Sequence, residues 1–276
     1  MPELPEVETI CRALRDELTG ARIRRLDLHA RGLRHPFPEG MADCVRGKRI
    51  RRIERRAKYI LMHLDGGDVL LCHLGMSGRM AIHATIPAER GRHDHVIFTL
   101  ADGRGLIFSD PRRFGSLELT HETRLEDHPR LAPLGPEPLG NHFSAATLSR
   151  ALDGRRTAIK QALLDQKTVA GLGNIYVCEA LWRSGISPLR QAAGLTESEV
   201  ADLHGHIRAV LLDAIAAGGS SLRDYRRASG EMGYFQHDFA VYGREGEDCQ
   251  RPACPGSIER IAQAGRSSFF CPRCQH

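Results

Sequence analysis

The sequence predicts an α+β protein of several domains, with a strand-rich N-terminal part, a helical second part and a short cysteine-bearing tail. Three observations support this prediction. Short apolar segments separated by Asp-Gly turns fill residues 21–120, apolar residues then recur at helical spacing, and four of the eight cysteines lie in the last 28 residues. The chain of 276 residues is long enough for two domains that each have a core.

An amphipathic helix is predicted over residues 5–19. Val7, Ile10 and Leu14 fall on one face of this helix, and Gly20 is a suitable residue to end it. Pro5 fits the first helical turn.

The segment that follows is predicted to form β-hairpins. Residues 60–64 and 69–74 flank the turn sequence Asp65-Gly66-Gly67, and residues 96–100 and 106–109 flank Asp102-Gly103. Short strands with such turns indicate a β-sandwich or a barrel.

A Pro- and Gly-rich segment separates the strands from the helical part. Residues 131–140 contain three prolines and two glycines besides apolar residues, which is typical of an interdomain linker. The predicted domains are 1–132, a linker at 133–140, a helical domain at 141–240 and a tail domain at 241–276.

Helices are predicted at 144–152 and 157–164, from Asn174 onward, and from a Thr196–Glu199 capping box to Gly218. Residues 220–240 are polar and lack a clear period, so we expect a long loop there.

Composition limits the class of protein. Hydrophobic residues make up 41% and charged residues 26% of the chain, which is ordinary for a soluble globular protein. No apolar run approaches the roughly 20 residues of a membrane span, and no signal-peptide pattern opens the chain, so we expect a cytoplasmic protein without a membrane partner.

Basic residues are concentrated in one segment although the net charge is only +5. The segment contains Arg46, Lys48, Arg49, Arg51, Arg52, Arg55, Arg56 and Lys58, with Glu54 as the acidic residue among them. A solvated charged face and a phosphate-binding surface both explain such a run. Lys58 differs because it precedes the apolar strand at 59–61, and we expect it to lie in a groove as a proton-transfer group.

The cysteine tail predicts a metal site. Cys249 and Cys254 form one pair, and Cys271 and Cys274 form the other, sixteen residues further on. This spacing favours one structural Zn²⁺ ion held by four thiolates, and metal binding would fold this short segment. In a zinc-bound β-hairpin, Arg266 would project from the turn toward a partner.

The N-terminus carries a candidate nucleophile. Removal of Met1 would leave Pro2 as a terminal secondary amine, whose pKa of roughly 8 leaves more of it unprotonated than a lysine. Such an amine can attack a carbonyl carbon and form a cationic iminium. Glu3 is the adjacent candidate general acid or base. A frayed terminus before a helix is the alternative interpretation.

Glycine-bounded loops carry further candidates. His73–Gly78 and Asp110–Gly115 follow strands, and their long side chains can wedge into a base stack. Gly171-Leu-Gly173-Asn174 can present backbone N–H groups to a phosphate at a helix start. Ordinary loop packing and a helix cap are the alternatives.

Taken together, these segments resemble the formamidopyrimidine-DNA glycosylase (Fpg) family, whose members are bifunctional base-excision-repair enzymes. The segments that carry the resemblance occur in the family's order: 2–9, 55–59, 73–78, 93–95, 110–115, 157–160, 173–176, 218–225 and the cysteine tail. The resemblance implies an N-terminal β-sandwich, a helix–two-turn–helix domain, a C-terminal zinc finger, and DNA bound between the domains.

The resemblance also implies a mechanism. Pro2 would attack C1′ of an oxidised purine nucleotide that is flipped out of the duplex, and Glu3 would assist opening of the sugar ring. Lys58 would assist β-elimination and Arg266 δ-elimination, both through the iminium.

Five residues match DNA-contacting positions of the family: His73, His93, Arg112, Lys160 and Asn174. Three residues match those that fill the space left in the duplex by the flipped base: Met76, Arg112 and Phe114. The loop at 220–240 matches the lesion-capping loop. The implied partner is double-stranded DNA with oxidised bases or abasic sites, bound by a monomer in the cytoplasm at the nucleoid.

The sequence departs from the family at two points. Cys249 and Cys254 are separated by four residues where the family more often has two, and Arg155-Arg156 stand where many members carry lysines.

Three other functions remain open at this point. They are the sister enzyme type that excises oxidised pyrimidines, a non-catalytic DNA-lesion binder, and a tautomerase that uses a terminal proline. The Leu4-Pro5 continuation, Met76, Phe114 and the long loop favour the purine type. An intact Pro2, Glu3 and Lys58 argue against a pure binder.

Overall fold

The structure is a computed structural model that describes residues 2–220 and 234–276. The chain forms two compact units. The first comprises the residues up to Ala132 together with the described residues among 217–234, and the second comprises Pro133–Ala216 and Phe235–His276. Within the described ranges, no helix is both long enough and apolar enough to span a membrane.

In its described residues, the first unit combines two α-helices with eight strands. In chain order these are α1 (Leu4–Leu18), β1 (Ile23–Leu28), α2 (Met41–Val45), β2 (Ile50–Arg56), β3 (Tyr59–Leu64), β4 (Asp68–His73), β5 (Arg79–His83), β6 (Asp94–Leu100), β7 (Gly105–Ser109) and β8 (Ser116–His121). The predicted helix near the N-terminus and both predicted hairpins, β3–β4 and β6–β7, are confirmed.

The strands form two four-stranded sheets that share one hydrophobic core. The first sheet has the order β1-β6-β7-β5 and the second the order β2-β3-β4-β8, and all their pairings are antiparallel. Phe98 and Phe108 of the first sheet pack in the same buried cluster as Met62 and Leu70 of the second. Of the two architectures that the strand pattern allowed, the sandwich is the one formed.

Helix α1 runs along β2 in the opposite direction. Arg15 Nε donates to the carbonyl of Ile53 at 3.0 Å, and Arg55 pairs with Glu8 at 2.9 Å. Residue numbers fall along α1 as they rise along β2. The start of α1, with Pro2 and Glu3, therefore lies toward the end of β2.

The second unit contains four helices and a hairpin: α3 (Ala145–Leu152), α4 (Ile159–Leu164), α5 (Asn174–Arg183), α6 (Glu197–Ala216), β9 (Glu259–Gln263) and β10 (Arg266–Phe270). All four predicted helices are confirmed. The capping box before α6 forms as predicted, because Thr196 N–H donates to Glu199 Oε2 at 2.8 Å and Glu199 N–H donates to Thr196 Oγ1 at 3.3 Å.

Helices α4 and α5 are connected by turns that one side chain stabilises. Gln166 Oε1 accepts from the N–H of Gly171 at 2.9 Å, and Gln166 Nε2 donates to the carbonyl of Leu172 at 2.9 Å. This helix–turns–helix arrangement and the β9–β10 hairpin complete the predicted α+β fold class.

The predicted loop at 220–240 lies mostly outside the described residues, since 221–233 are not among them. The described remainder contains a short 3-10 helix, Phe235–His237, with Phe235 buried. The domain boundaries proposed from the sequence stay predictions.

Candidate active site and nucleic-acid interface

Three chain segments meet at one end of the second sheet. The turn at 57–58 connects β2 and β3, the segment 74–78 follows β4, and the segment 110–115 precedes β8. The register places Tyr59 opposite His73, and His73 opposite Ser116. The sheet therefore brings together motifs that are far apart in the sequence. This end of the sheet is called the loop end below.

The first residues of the chain are held by a buried carboxylate. Pro2 is buried, and Glu3 is only 3% exposed. The N–H of Glu3 donates to Glu6 Oε2 at 2.8 Å, while Glu6 Oε1 accepts from both the N–H and the Oγ of Ser220, at 2.8 and 3.0 Å. Glu6 thus links the peptide after Pro2 to the last residue of the first described range.

Sequence analysis did not single out Glu6. The sequence did contain a pattern that indicates this role, because an acidic residue three positions after the N-cap is the second half of a capping box.

Lys58 occupies a strained two-residue turn. Ala57, immediately before it, has φ of 51°, a left-handed conformation that disfavours side chains by about 1–2 kcal/mol. Arg55 supports the turn, because its Nη1 donates to the carbonyl of Ala57 at 3.0 Å while its Nε binds Glu8 of α1. Lys58 itself is 8% exposed. Its placement fits the groove expected from the sequence, and its role stays a prediction.

A buried aspartate holds the two long loops together. Asp110 is fully buried, and its Oδ1 accepts from Ser77 Oγ at 2.6 Å while its Oδ2 accepts from the N–H of Gly115 at 2.7 Å. The N–H of Arg112 donates to Ser77 Oγ at 3.2 Å and to Asp110 Oδ1 at 3.3 Å. The hydrogen bonds of Asp110 with Ser77, Arg112 and Gly115 are called the Asp110 clamp below. Neither Ser77 nor Asp110 was proposed as a site residue, since only the pairing of two distant loops reveals them.

Side chains project from the clamped loops into solvent. Met76 is 40% and Phe114 is 45% exposed, although both are apolar. Arg112 is also exposed, and its guanidinium carbon lies 4.8 Å from the centre of the Phe114 ring. His93 is half-buried, and its carbonyl accepts from the N–H of Asp110 at 2.9 Å. The loop end thus presents three long side chains on a rigid base.

His73 is held in its neutral form. Its Nδ1 accepts from the N–H of Gly75 at 3.0 Å, and its ring packs against Tyr59 with centroids 4.9 Å apart. Burial, followed by the nearby charges of Lys58, Arg34 and Arg130, lowers the pKa of His73 to about 4. A neutral ring keeps the Nδ1 lone pair available to fix the turn that carries Met76.

The basic segment has more acidic partners than its sequence indicates. The pairs are Arg46 with Asp43 at 2.7 Å, Lys48 with Asp68, Arg52 with Glu54 and Glu122 at 3.1 Å each, and Arg55 with Glu8 at 2.9 Å. Three of these acids, Asp68, Glu122 and Glu8, come from other segments of the chain, so the sequence of the run does not show them. Phosphate binding by the run stays a prediction.

In the second unit, two predicted DNA contacts bind the β9–β10 hairpin. Lys160 is 1% exposed, and its Nζ donates to the carbonyl of Ser267 at 2.8 Å and to Ser268 Oγ at 2.6 Å. Asn174 Nδ2 donates to the same carbonyl at 2.9 Å. Both side chains therefore support the hairpin from α4 and α5. Direct contact of either with DNA stays a prediction.

Arg266 stands where the sequence placed it. The hairpin turns at Ala264 and Gly265, which have φ of 49° and 75°, and Arg266 is the first residue of β10 and is exposed. The prediction that it projects from a hairpin turn is confirmed, while its chemical role stays untested.

The four cysteines of the tail converge as a metal site requires. The sulfur atoms of Cys249, Cys254, Cys271 and Cys274 all lie within 4.8 Å of one another. Two pairs, Cys249 with Cys274 and Cys254 with Cys271, are 3.7 Å apart. Tetrahedral Zn²⁺ with Zn–S bonds of about 2.3 Å places its sulfur ligands about 3.8 Å apart. The residues thus fit zinc in donor type, number and spacing.

Cys249 is prepared to act as a thiolate. Burial raises its pKa, but hydrogen bonds from Trp182, the Arg251 N–H and the neighbouring thiols outweigh burial and lower the pKa to about 7. The thiolate is the form that binds metal.

Comparison with known proteins agrees with this geometry. Residues 1–117 match the formamidopyrimidine-DNA glycosylase N-terminal domain, residues 134–226 match the H2TH domain of the same enzymes, and residues 246–276 match the zinc finger found in FPG and IleRS. The formamidopyrimidine-DNA glycosylase of Ruegeria sp. (strain TM1040) is 53% identical over 284 residues, covering 100% of both chains. The chain belongs to the formamidopyrimidine-DNA glycosylase family. Its class is therefore that of a DNA glycosylase of base excision repair.

Solved structures of Fpg proteins share the fold. A point mutant of Lactococcus lactis Fpg, in complex with DNA containing Fapy-dG, superposes with a TM-score of 0.92 at 38% identity over 100% of both chains. The Fpg protein of Thermus thermophilus gives a TM-score of 0.88 at 42% identity, over 99% of this chain and 98% of that one. The α+β fold and the zinc finger predicted from the sequence are confirmed.

Proposed function

We propose that this enzyme removes oxidised purines, namely 8-oxoguanine and formamidopyrimidines, from double-stranded DNA and then cleaves the strand at the resulting site. A Lactococcus lactis relative has been solved with DNA containing Fapy-dG, and the same enzyme with DNA containing an abasic site. The substrate and product of the proposed first step thus correspond to ligands of a structural relative.

The nucleophile is the amine of Pro2 after removal of Met1. The nitrogen lone pair attacks C1′ of the flipped nucleotide, the C1′–N bond to the base breaks, and the base leaves with a proton. Opening of the sugar ring then gives an iminium between Pro2 and C1′. Glu3, next to the nucleophile and buried, delivers a proton to the ring oxygen as this bond breaks.

Strand cleavage follows from the iminium. Its positive charge draws electrons from C2′, so that loss of the C2′ proton expels the 3′-phosphate and a second elimination expels the 5′-phosphate. We assign assistance of the first elimination to Lys58 and of the second to Arg266. Hydrolysis of the iminium returns the free amine.

The exposed side chains of the loop end hold the DNA open. Met76, Arg112 and Phe114 occupy the space left by the flipped base, where apolar and planar groups can replace stacking. His73, His93, Lys160 and Asn174 are the further proposed DNA-binding residues, with Lys160 acting through the hairpin it supports. The basic segment adds sequence-independent attraction for phosphates. The enzyme acts as a monomer in the cytoplasm, at the nucleoid.

Zinc has a structural role in this proposal. A zinc ion held by Cys249, Cys254, Cys271 and Cys274 would crosslink the tail and fix the hairpin that carries Arg266.

The observation that carries the proposal is the antiparallel course of α1 along β2. It directs the buried Pro2–Glu3 terminus toward the same sheet end as the Lys58 turn and the three exposed side chains. A pure DNA binder has no need for such an arrangement.

The proposal is tested by product analysis on duplexes with one defined lesion. With 8-oxoguanine opposite cytosine, we expect release of the free base and a one-nucleotide gap with phosphate at both ends, identified by mass spectrometry. Release of the base without strand cleavage would refute the lyase assignment, and an inert lesion duplex would refute the substrate assignment.

Excision of oxidised pyrimidines is a second candidate activity. It is favoured by one observation, namely that wild-type Lactococcus lactis Fpg has been solved with DNA containing an oxidised pyrimidine. Parallel assays with 8-oxoguanine and an oxidised cytosine decide between the two, and we expect the purine to be processed faster.

A further inference from the structure

The longer first cysteine knuckle makes contacts of its own with helix α5. Four residues separate Cys249 from Cys254, and one of them, Arg251, lies over the indole of Trp182 with its guanidinium carbon 5.3 Å from the ring centroid. Arg251 Nη2 also donates to the carbonyl of Trp182 and, at 3.5 Å, to that of Arg183. These carbonyls belong to the last turn of α5, where the helix dipole makes a positive charge favourable.

Helix α5 also contacts the metal site directly, through Trp182. The indole Nε1–H of Trp182 donates to Cys249 Sγ at 3.4 Å. The indole nitrogen is a donor only, so the Cys249 sulfur must be the acceptor of this hydrogen bond. It favours the thiolate and fixes the direction of its remaining lone pairs.

The second cysteine pair contacts the same end of α5. Gln275 Oε1 accepts from the N–H of Cys271 at 2.8 Å, and Gln275 Nε2 donates to the carbonyl of Ile186 at 2.9 Å. The N–H of His276 donates to the carbonyl of Gly185 at 3.0 Å. Both knuckles are thus attached to residues 182–186.

We propose that Trp182 and Arg251 are positioning residues of the zinc site: Trp182 holds the Cys249 thiolate, Arg251 locks the four-residue knuckle onto α5, and together they retain the ion. Groups that hydrogen-bond to metal ligands typically change metal affinity about 10- to 100-fold when they are removed. The four-residue spacing then has a physical purpose, since it gives Arg251 the reach to cover Trp182.

This arrangement couples zinc to the rest of the second unit. Asn174, the first residue of α5, binds the carbonyl of Ser267 in the hairpin, while Trp182 binds Cys249 near its other end. Helix α5 is therefore attached to the metal-binding tail at both ends. The inference concerns zinc retention alone and holds whether or not the proposed DNA chemistry is correct.

The test uses the full-length zinc-loaded protein without DNA. Zinc affinity is measured by competition with a metallochromic chelator for the wild type, Trp182→Phe, which keeps a ring but removes the N–H, and Arg251→Gln. We expect affinity to fall at least tenfold in Trp182→Phe and several-fold in Arg251→Gln. Arg273→Gln, which removes the exposed arginine between the other two cysteines, is the matched charge control and should retain wild-type affinity.

A second readout comes from fluorescence, because Trp182 is the only tryptophan of the chain. Its emission should change in step with zinc removal and return when zinc is added back. The proposal would be overturned by wild-type zinc affinity in both variants, or by equal losses of affinity in Arg251→Gln and Arg273→Gln. Indole emission that does not change when zinc is removed would also overturn it. If Trp182→Phe does not fold, Arg251→Gln and the wild-type emission decide by themselves.

Discussion

At the loop end of the first unit, the buried Asp110 carboxylate binds the backbone of its own loop and the Ser77 hydroxyl of the other loop, while the long side chains of Met76, Arg112 and Phe114 remain exposed. In the second unit, a buried cation takes the place of the buried carboxylate. Lys160 is itself buried, and its ammonium holds the backbone of the hairpin that presents Arg266. Both regions fix a projecting side chain with a buried polar group. The sequence pattern marked the projecting residues in both regions, but it marked a supporting residue only in the second, where Lys160 was expected to contact DNA itself.

This difference shows what residue type alone can indicate. A lysine in a DNA-binding motif predicts a phosphate contact, yet an ammonium that already has buried acceptors is held away from solvent. An arginine on a loop whose backbone needs are met by Asp110 is free to project. The distribution of backbone hydrogen bonds therefore separates a direct contact from a supporting residue.

Removal of zinc should have the largest effect and should act on the second unit. Structural zinc supplies about 10–16 kcal/mol of apparent binding free energy in zinc-finger peptides. After chelation we expect hydrogen-exchange protection of β9 and β10 to disappear while that of β3 and β4 is unchanged. A hairpin that stays protected without metal would contradict this expectation.

Asp110→Asn should destabilise the first unit by about 3 kcal/mol, because the amide cannot accept at both positions and leaves a buried N–H or hydroxyl without its charged acceptor. Urea denaturation measures the loss, and exposed Met76 should then show increased oxidation by peroxide. Asp127→Asn, at an exposed position of the same unit, is the matched control and should leave stability unchanged. Wild-type stability of Asp110→Asn would show that the clamp is dispensable.

Lys160→Met and Arg112→Met should differ in the salt dependence of DNA binding. A lost phosphate contact reduces the slope of log affinity against log salt by about 1. We expect a reduced slope for Arg112→Met, because its exposed cation enters the duplex beside the phosphates, and an unchanged slope for Lys160→Met. Lys160→Met should instead lower stability by about 2 kcal/mol, since the part-buried carbonyl of Ser267 and the buried hydroxyl of Ser268 lose a charged donor. A reduced slope for Lys160→Met would show that its ammonium reaches DNA.

His73 should make the loop end sensitive to acid. Its pKa is lowered to about 4 when folded, against 6.5 when unfolded, so the unfolded chain binds the proton more readily. Stability is therefore fully present above pH 6.5 and is lost as the pH falls toward 4, by about 2 kcal/mol between pH 7 and pH 5.

The measurement is urea denaturation at pH 7, 6 and 5, with His73→Gln as the comparison. The unfolding free energy of the wild type should fall relative to that of His73→Gln as the pH falls, because the variant has no imidazole to protonate at this position. A constant difference would contradict the assigned shift of the His73 pKa.

Features set by local sequence were predictable from the sequence. The apolar face of α1, the Asp-Gly hairpin turns, the Thr196 capping box and the cysteine spacing each lie within a short stretch of chain, and each appears in the structure. Local physics of periodicity, turns and metal coordination determines them.

Contacts between residues that are far apart in the sequence were not predictable. Ser77 and Asp110 are 33 residues apart, and Arg55 and Glu8 are 47 apart. Only the strand order brings such partners together, so the sequence could not identify the Asp110 clamp, the acids that neutralise the basic segment, or the burial of Lys160.

Reductive trapping tests the central claim that the Pro2 amine at the loop end performs the chemistry. The protein with its authentic N-terminus is mixed with an 8-oxoguanine:cytosine duplex and borohydride, beside a version that retains one extra residue before Pro2. Acylation removes the nucleophilic lone pair, while Glu3, Lys58 and every other residue of the sequence are kept. We expect a covalent adduct that mass spectrometry maps to residue 2, and none with the extended protein. Equal trapping by both proteins, or an adduct on a lysine, would contradict it.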